Sequence, residues 1–188
     1  MRAARIEGTT FDAALAAELC VMADAEAALQ SSLRAQGALR RTQAAIDDPA
    51  FATLSATHAE RIWELLDDLE LWPGRRLVGD DGAAAAWLIV MHAQRDLDLQ
   101  RRALDHIELA LDFDDVPGLH YATLADRIAM SEGRSQRYGT QLVPTSDGRD
   151  LEPWPIEAPE GLDDRRAALG LADFAAQLAQ ARAEYAAH

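Results

Sequence analysis

Apolar side chains recur at helical spacing near the start of the chain. Between about residues 10 and 38 the positions at this spacing are Phe11, Leu15, Leu19, Met22, Ala25 or Glu26, and Leu29. Acidic residues stand toward the beginning of this segment and arginines toward its end, which suits the dipole of a helix. Alanine, the strongest helix former, fills many of the remaining positions. The segment therefore predicts one long first helix in a chain that is mainly α-helical.

Shorter helical segments follow, and proline or glycine separates them. Their predicted bounds are about His58–Glu70, Ala83–Ala93, Asp98–Leu111, Leu119–Ser131, Leu162–Leu169 and Ala172–Ala187. Thr57 and Glu60 have the spacing of a capping box, which predicts that the second helix starts there. Asp80 and Asp81 precede Ala83, and we expect them to cap the third helix.

The periodicity changes in the C-terminal third. Tyr138–Val143 and Asp150–Ile156 are candidate strands, and the pair Asp147-Gly148 between them is typical of a hairpin turn. No internal linker is long or polar enough to separate two cores. We therefore predict a single-domain helical bundle over residues 1–188, with a small β-hairpin near the C-terminal third.

The charge of the chain excludes two classes of partner. Its formal net charge is -14 at pH 7, whereas nucleic-acid binding draws most of its affinity from cationic contacts. The same charge disfavours adsorption to anionic membranes. We therefore expect neither nucleic acid nor membrane as a partner. A small polar ligand, a protein partner and a homo-oligomer all stay open.

Composition also indicates the compartment. Lysine and asparagine do not occur in the sequence, as in proteins of GC-rich bacterial genomes. Cys20 is the only cysteine, so an intrachain disulfide is excluded. Met1 to Gly8 is not followed by the apolar segment of a signal peptide, and the longest apolar run, Ala83–Met91, is shorter than the roughly 20 residues that span a bilayer. We expect a bacterial cytoplasmic protein.

A dense polar run stands between the last central helix and the predicted hairpin. Its candidate residues are Glu132, Gln136, Tyr138, Thr140 and Gln141, interspersed with two glycines. Glu132 and Tyr138 could exchange protons, and the amides and hydroxyl suit the orientation of a small polar ligand. The alternative is structural: the run caps a helix and pins the hairpin, with the glutamines satisfying backbone groups.

His92, Asp96 and Gln100 are spaced four residues apart. If one helix continued through them, they would share a face, and Asp96 could orient the imidazole as a base. The competing interpretation is that His92, which follows an apolar run, is a satisfied core residue. We retain His92 as a catalytic candidate, with Asp96 and Gln100 as ligand-binding candidates.

Asp126 and Arg127 precede the polar run on the same predicted helix. A buried acid and arginine could form a structural ion pair. Equally, Arg127 could clamp a substrate carboxylate through its two-pronged geometry, with Asp126 as an acid or base. The sequence leaves both interpretations open.

The chain lacks the patterns of several common active sites. No serine stands in a Gly-x-Ser-x-Gly setting, and the histidines show no His-Glu-x-x-His spacing. We predict no metal site, although a mixed site of His92 and carboxylates stays open. The sequence specifies no cofactor.

Several short motifs together resemble an uncharacterised bacterial family, catalogued as a domain of unknown function. They include Trp72-Pro73-Gly74, Ala86-Trp87-Leu88-Ile89-Val90, Glu132-Gly133-x-x-Gln136-x-Tyr138-Gly139-Thr140-Gln141 and Arg165-Arg166-x-x-Leu169-Gly170. The resemblance covers about residues 62–178. In the first helix, relatives often have Asp-Gln and then an arginine after a Met-Ala pair, whereas here Met22-Ala23 leads into Asp24 to Gln30. The resemblance implies a shared pattern of polar residues rather than a known activity.

Two hypotheses follow. The first is a polar small-molecule pocket, belonging to a binding protein or a metal-independent acid/base enzyme, in which His92 and Asp126 face Glu132, Gln136, Tyr138 and Gln141. The second is a non-catalytic module for protein interaction or regulation, of the immunity type, whose acidic surface supplies recognition.

Overall fold

The computed structural model describes residues 6, 8–35 and 48–186. The last predicted residues of the first helix, 36–38, and Ala187 lie outside this range. The chain divides into two compact units, Met1–Val116 and Pro117–His188. The expectation of one domain over residues 1–188 stays a prediction.

The described part of the first unit contains four helices. Their bounds are Ala13–Ala35 (α1), Pro49–Leu69 (α2), Arg75–His92 (α3) and Leu97–Leu111 (α4). Helix α3 packs along α1, and α2 contacts α1, α3 and α4. The centre of the unit consists of side chains with no exposed surface: Leu19, Ile62, Leu66, Ile89, Leu99 and Ile107. Burial of these groups supplies the main stabilising term.

Helix α2 starts nine residues earlier than predicted. The Asp48 side chain accepts hydrogen bonds from the backbone N–H groups of Ala50 and Phe51, with Pro49 in the first turn. Thr57 is internal to the helix, and its hydroxyl donates to the Thr53 carbonyl. The predicted capping box at Thr57 is therefore wrong. Asp48-Pro49 is a helix start, because proline at the first position needs no N–H partner.

Helix α3 also starts before its predicted position. It begins at Arg75 and is kinked at Gly79, whose φ of 71° lies in the left-handed region. Asp80 forms an ion pair with Arg75, with 3.0 Å between Oδ1 and Nε. Asp80 and Asp81 thus lie inside the helical segment, one residue after the kink, and not ahead of it.

The second unit contains three helices and the predicted hairpin. Its elements are Gly118–Ser131 (α5), Leu142–Pro144 (β1), Leu151–Pro153 (β2), the 3₁₀ turn Pro159–Gly161, Leu162–Ala167 (α6) and Phe174–Ala186 (α7). The strands are antiparallel, and Val143 lies opposite Glu152. Gly148 has a φ of 67°, in keeping with the predicted turn.

The fold class is confirmed as mainly α. Helices make up 68% of the residues that the structure describes, and in the same ranges the β structure is limited to the short hairpin and the isolated bridge between Gln136 and Ile156. In those same ranges no helix is both long enough and apolar enough to cross a membrane.

Candidate functional site

In the second unit, Asp126 is the centre of a hydrogen-bond network. Its side chain has no exposed surface. One carboxylate oxygen accepts from the backbone N–H groups of Arg137 and Tyr138, at 2.7 and 3.0 Å. The other accepts from the N–H and the hydroxyl of Thr140, both at 2.9 Å. Asp126 thus fixes the backbone of residues 137–140 onto helix α5.

Gln136 performs a similar role toward the hairpin. It is completely buried, and its amide N–H groups donate to the carbonyls of Gln141 and Trp154 at 3.0 and 2.7 Å. Its carbonyl oxygen accepts from the Gln141 N–H at 2.8 Å. The Gln141 amide in turn donates to the Thr140 hydroxyl at 3.0 Å. Most of the polar capacity of both side chains is therefore used within the unit.

Tyr138 is held through its backbone and its ring. Arg166, which is 1% exposed, donates from Nη1 to the Tyr138 carbonyl at 2.6 Å, from Nε to the Ala172 carbonyl at 2.7 Å, and from Nη2 to Gln177. The Tyr138 ring packs edge-on against Tyr121, with 6.0 Å between centroids. Burial lowers the pKa of Arg166. Each of its three guanidinium nitrogens nevertheless donates to an acceptor within the unit.

Glu132 and Arg127 differ in their surroundings from the residues of this network. Glu132 accepts a hydrogen bond from Arg134 Nε at 2.7 Å. Within the described part of the chain, Arg127 does not form the proposed ion pair with Asp126, and its buried Nε has no hydrogen-bond partner. Burial lowers the pKa of Arg127. Its role as a clamp for an anion stays a prediction.

The first unit contains a second buried carboxylate, which has titratable partners. Glu26 on α1 has no exposed surface. Its Oε1 lies 2.8 Å from Nδ1 of His58 on α2, and its Oε2 lies 2.5 Å from Nδ1 of His92 at the end of α3. Three helices thus place two imidazoles on one carboxylate.

His92 has a second polar contact, with Gln30, which lies one helical turn after Glu26. The Gln30 amide nitrogen lies 3.3 Å from His92 Nε2. An ionised carboxylate can only accept, so the hydrogen bond to Glu26 needs a proton on His92 Nδ1, and in this arrangement the Gln30 amide donates to Nε2. The His92 ring also packs edge-on against Phe51, at 5.4 Å between centroids. The imidazole is therefore held in one orientation with a basic nitrogen at Nε2.

His92 lines a cavity of about 370 Å³ between α2 and the turn that follows α3. The apolar wall is formed by Phe51 and small side chains of α2. The lining residues with polar side chains are Ser55, Glu60, His92, Gln94, Arg95 and Asp96. A concave apolar surface with a few convergent polar groups is the usual form of a small-molecule site.

The predicted row of His92, Asp96 and Gln100 is not formed. Helix α3 ends at His92, and Asp96 caps α4 by accepting the Leu99 N–H at 2.9 Å. The other Asp96 oxygen accepts from Trp63 Nε1 at 2.8 Å, and Gln100 donates to the Val90 carbonyl at 3.1 Å. Glu26, not Asp96, orients His92. Asp96 does share the cavity lining with His92, whereas Gln100 does not.

Glu26, His58 and Gln30 were missed in the sequence. A signal was present, because Glu26 falls on the apolar face of the first predicted helix, between Met22 and Leu29. An acid on such a face is expensive unless it is paired. Nothing in the sequence identified His58 and His92 as its partners, which lie 32 and 66 residues further along the chain.

Comparison with known families gives one match. A model described as "Family of unknown function (DUF6624)" matches residues 13–185. The chain belongs to this family of unknown function. The match is longer than the region 62–178 expected from the motifs. It includes α1, the helix that carries Glu26 and Gln30. No curated protein and no solved structure matches the chain.

Among the residues that the structure describes, no group of three or more His, Cys, Asp or Glu side chains is arranged to hold a metal ion. In the cluster of Glu26, His58 and His92, both histidines direct Nδ1 to the carboxylate.

The candidate residues of the two units form two separate groups. His92 and Asp96 belong to the cavity of the first unit, and Asp126, Gln136, Tyr138, Thr140 and Gln141 belong to the network of the second.

Proposed function

We propose that the first unit binds a small polar molecule in the cavity beside His92, and that His92 acts there as a general acid and base. The observation that carries this proposal is the Glu26–His92 pair, in which a fully buried carboxylate lies 2.5 Å from Nδ1 of a cavity-lining imidazole. The proposed class is a metal-independent acid/base enzyme of the bacterial cytosol.

Electrostatics supports this role. A carboxylate with no exposed surface is costly unless positive or donor groups face it. Two Nδ1–H groups satisfy it, and each imidazole can also take a second proton that Glu26 then stabilises. A proton accepted at His92 Nε2 therefore generates an imidazolium whose charge is balanced by Glu26. The same pairing of carboxylate and imidazole is used wherever enzymes need a histidine base in a fixed tautomer.

The Gln30 side chain can form a hydrogen bond to His92 Nε2 before and after proton transfer. Its amide nitrogen lies 3.3 Å from His92 Nε2, a long contact that a substrate or water proton can replace. After transfer, rotation of the amide would present its oxygen to the new N–H. Gln30 is thus proposed as a positioning residue for both protonation states.

A thermal-shift screen of a metabolite library tests this proposal. A ligand at a hundredfold excess over its dissociation constant stabilises the native state by about 2.7 kcal/mol, which corresponds to a shift of several degrees. At least one small polar compound should stabilise the wild type and lose that effect in His92→Gln.

Tyr138→Phe is the matched control, because Tyr138 belongs to the network of the second unit. The ligand shift should survive in this variant. A shift that Tyr138→Phe abolishes and His92→Gln retains would move the site to the polar run. Equal loss in both variants would favour one pocket that contains both residues.

A second candidate function is supported by the satisfied network around Asp126 and Gln136. We propose as the alternative a non-catalytic interaction or regulatory module, in which the polar run is purely structural. Such a module should yield a protein partner by affinity capture from its host and show no ligand shift in the screen. A ligand that depends on His92, with no partner captured, would count against it.

A further inference from the structure

The His92 cavity continues into a second cavity along the outer face of α2. The second cavity is a shallow, open depression of about 530 Å³, in which Thr53, Ala56, Thr57 and Glu60 are exposed. Ala52, Ala56, Glu60 and Arg95 line both cavities. The lining of α2 extends from Pro49 to Glu60, a distance of about 16 Å at the rise of an α-helix. The two cavities form one groove that suits an elongated ligand.

The wall of this groove presents hydrogen-bond acceptors. The Thr53 hydroxyl donates to the Pro49 carbonyl at 2.8 Å, and the Thr57 hydroxyl donates to the Thr53 carbonyl at 3.2 Å. Because their protons are used within the helix, both hydroxyl oxygens have only lone pairs left for a ligand. The Glu60 carboxylate lies one turn further along the same helix and is also an acceptor.

The charges of the groove favour a cation. Glu60 and Asp96 contribute two carboxylates, and Arg95 contributes one guanidinium. Glu60 has no ion pair with any other described residue. The net charge of -14 adds a long-range attraction for cations. Between the polar groups, Ala52 and Ala56 offer surface for methylene groups.

We propose that the groove binds an elongated aliphatic amine, with Glu60 as the residue that recognises the ammonium group. The ligand's N–H groups meet the Thr53 and Thr57 oxygens, and its methylenes lie on the alanines of α2. This inference rests on the cavity of the proposed function, but it does not depend on proton transfer by His92.

Isothermal titration calorimetry with a four-carbon series tests the proposal. The probes are 1,4-diaminobutane, 1,4-butanediol and succinate, which share a chain length and differ in charge. The diamine should bind at least about fivefold more tightly than the diol, and succinate should show no saturable binding. Glu60→Gln should weaken diamine binding about fivefold, as expected for one ammonium–carboxylate pair.

Asp68→Asn is the matched control, since it removes the same charge from the exposed surface of α2, and Asp68 does not line the groove. It should leave diamine binding unchanged within twofold. Equal weakening by both substitutions would show that the diamine responds only to the net negative charge of the protein, and it would overturn the proposal. So would equal binding of the diol, or no titratable heat with the diamine at millimolar concentration.

The outcome separates this inference from the acid–base role. Diamine binding that depends on Glu60 and persists in His92→Gln supports the amine site, whatever His92 does. A library ligand that requires His92, together with a diamine that ignores Glu60, would overturn only the amine site.

Discussion

Glu26 and Asp126 are both carboxylates with no exposed surface, but they have different kinds of partner. Asp126 accepts from three backbone N–H groups and one hydroxyl of residues 137–140. Glu26 accepts from two imidazoles. Backbone donors cannot change their protonation, whereas imidazoles can exchange a proton and switch tautomer. The first arrangement is suited to holding a loop, and the second to proton transfer.

This difference distinguishes two kinds of buried polar site within one chain. Crowded polar residues around glycines indicated a site at Glu132–Gln141, but their hydrogen bonds are mostly directed into the unit itself. The Glu26–His92 pair, which can exchange a proton, lies on helices whose sequence is mainly apolar. Polar density alone therefore does not show which buried carboxylate faces a titratable partner.

The largest effect should come from Asp126→Asn. An asparagine would direct an NH₂ group toward fixed N–H donors, so at least one buried donor loses its acceptor. We expect a loss of about 3 kcal/mol in the free energy of unfolding, measured by urea denaturation.

Glu26→Gln is the matched comparison. Here an imidazole can change tautomer and present a lone pair to the new NH₂ group, so we expect a loss of only about 1 kcal/mol. Equal losses in the two variants would mean that the imidazoles around Glu26 adapt no better than the backbone donors around Asp126. That result would contradict the proposed difference between the two sites.

A smaller effect should come from Asp115→Asn in the first unit. Asp115 is 4% exposed, accepts the Arg76 N–H at 2.7 Å, and has few other donors. Burial raises its pKa above the ordinary value of 3.8. The folded state thus binds a proton more readily than the unfolded state. As pH falls from 7 through the raised pKa toward 3.8, the wild type should gain stability.

Asparagine retains an oxygen for the Arg76 N–H and carries no charge. At pH 7 the variant should therefore lie within about 1 kcal/mol of the wild type, and the wild type should gain relative to it as the pH is lowered. Urea denaturation between pH 7 and 4 measures the difference. A wild type that instead loses stability relative to the variant in this window would show that Asp115 is stabilised in its charged form.

The helices were largely predictable because their signals are local. Asp98–Leu111 and Leu119–Ser131 were predicted within one residue of α4 and α5, from periodicity and flanking turns. The predicted start of α2 was wrong because Thr57 and Glu60 also have the spacing of a capping box, whereas the actual N-cap is Asp48. Local sequence offers both start signals and does not rank them.

The candidate site was only partly predictable. His92 was identified from its four-residue spacing to Asp96 and Gln100, but its partner is on another helix, 66 residues earlier. The proposed partner, Asp96, has the right spacing only if the helix continues, and the helix ends at His92. Tertiary contacts between helices decide which carboxylate faces the imidazole, and periodicity carries no information about them.

The protonation of the His92 ring tests the central claim most directly. Long-range ¹H–¹⁵N correlation spectra at neutral pH distinguish protonated from unprotonated imidazole nitrogens, and His92→Gln assigns the signals. The account predicts a proton on Nδ1 and an unprotonated Nε2, with a change in the Nδ1 signal in Glu26→Gln. A ring protonated at Nε2 in the wild type would contradict it, because His92 would then have no basic nitrogen to offer a ligand.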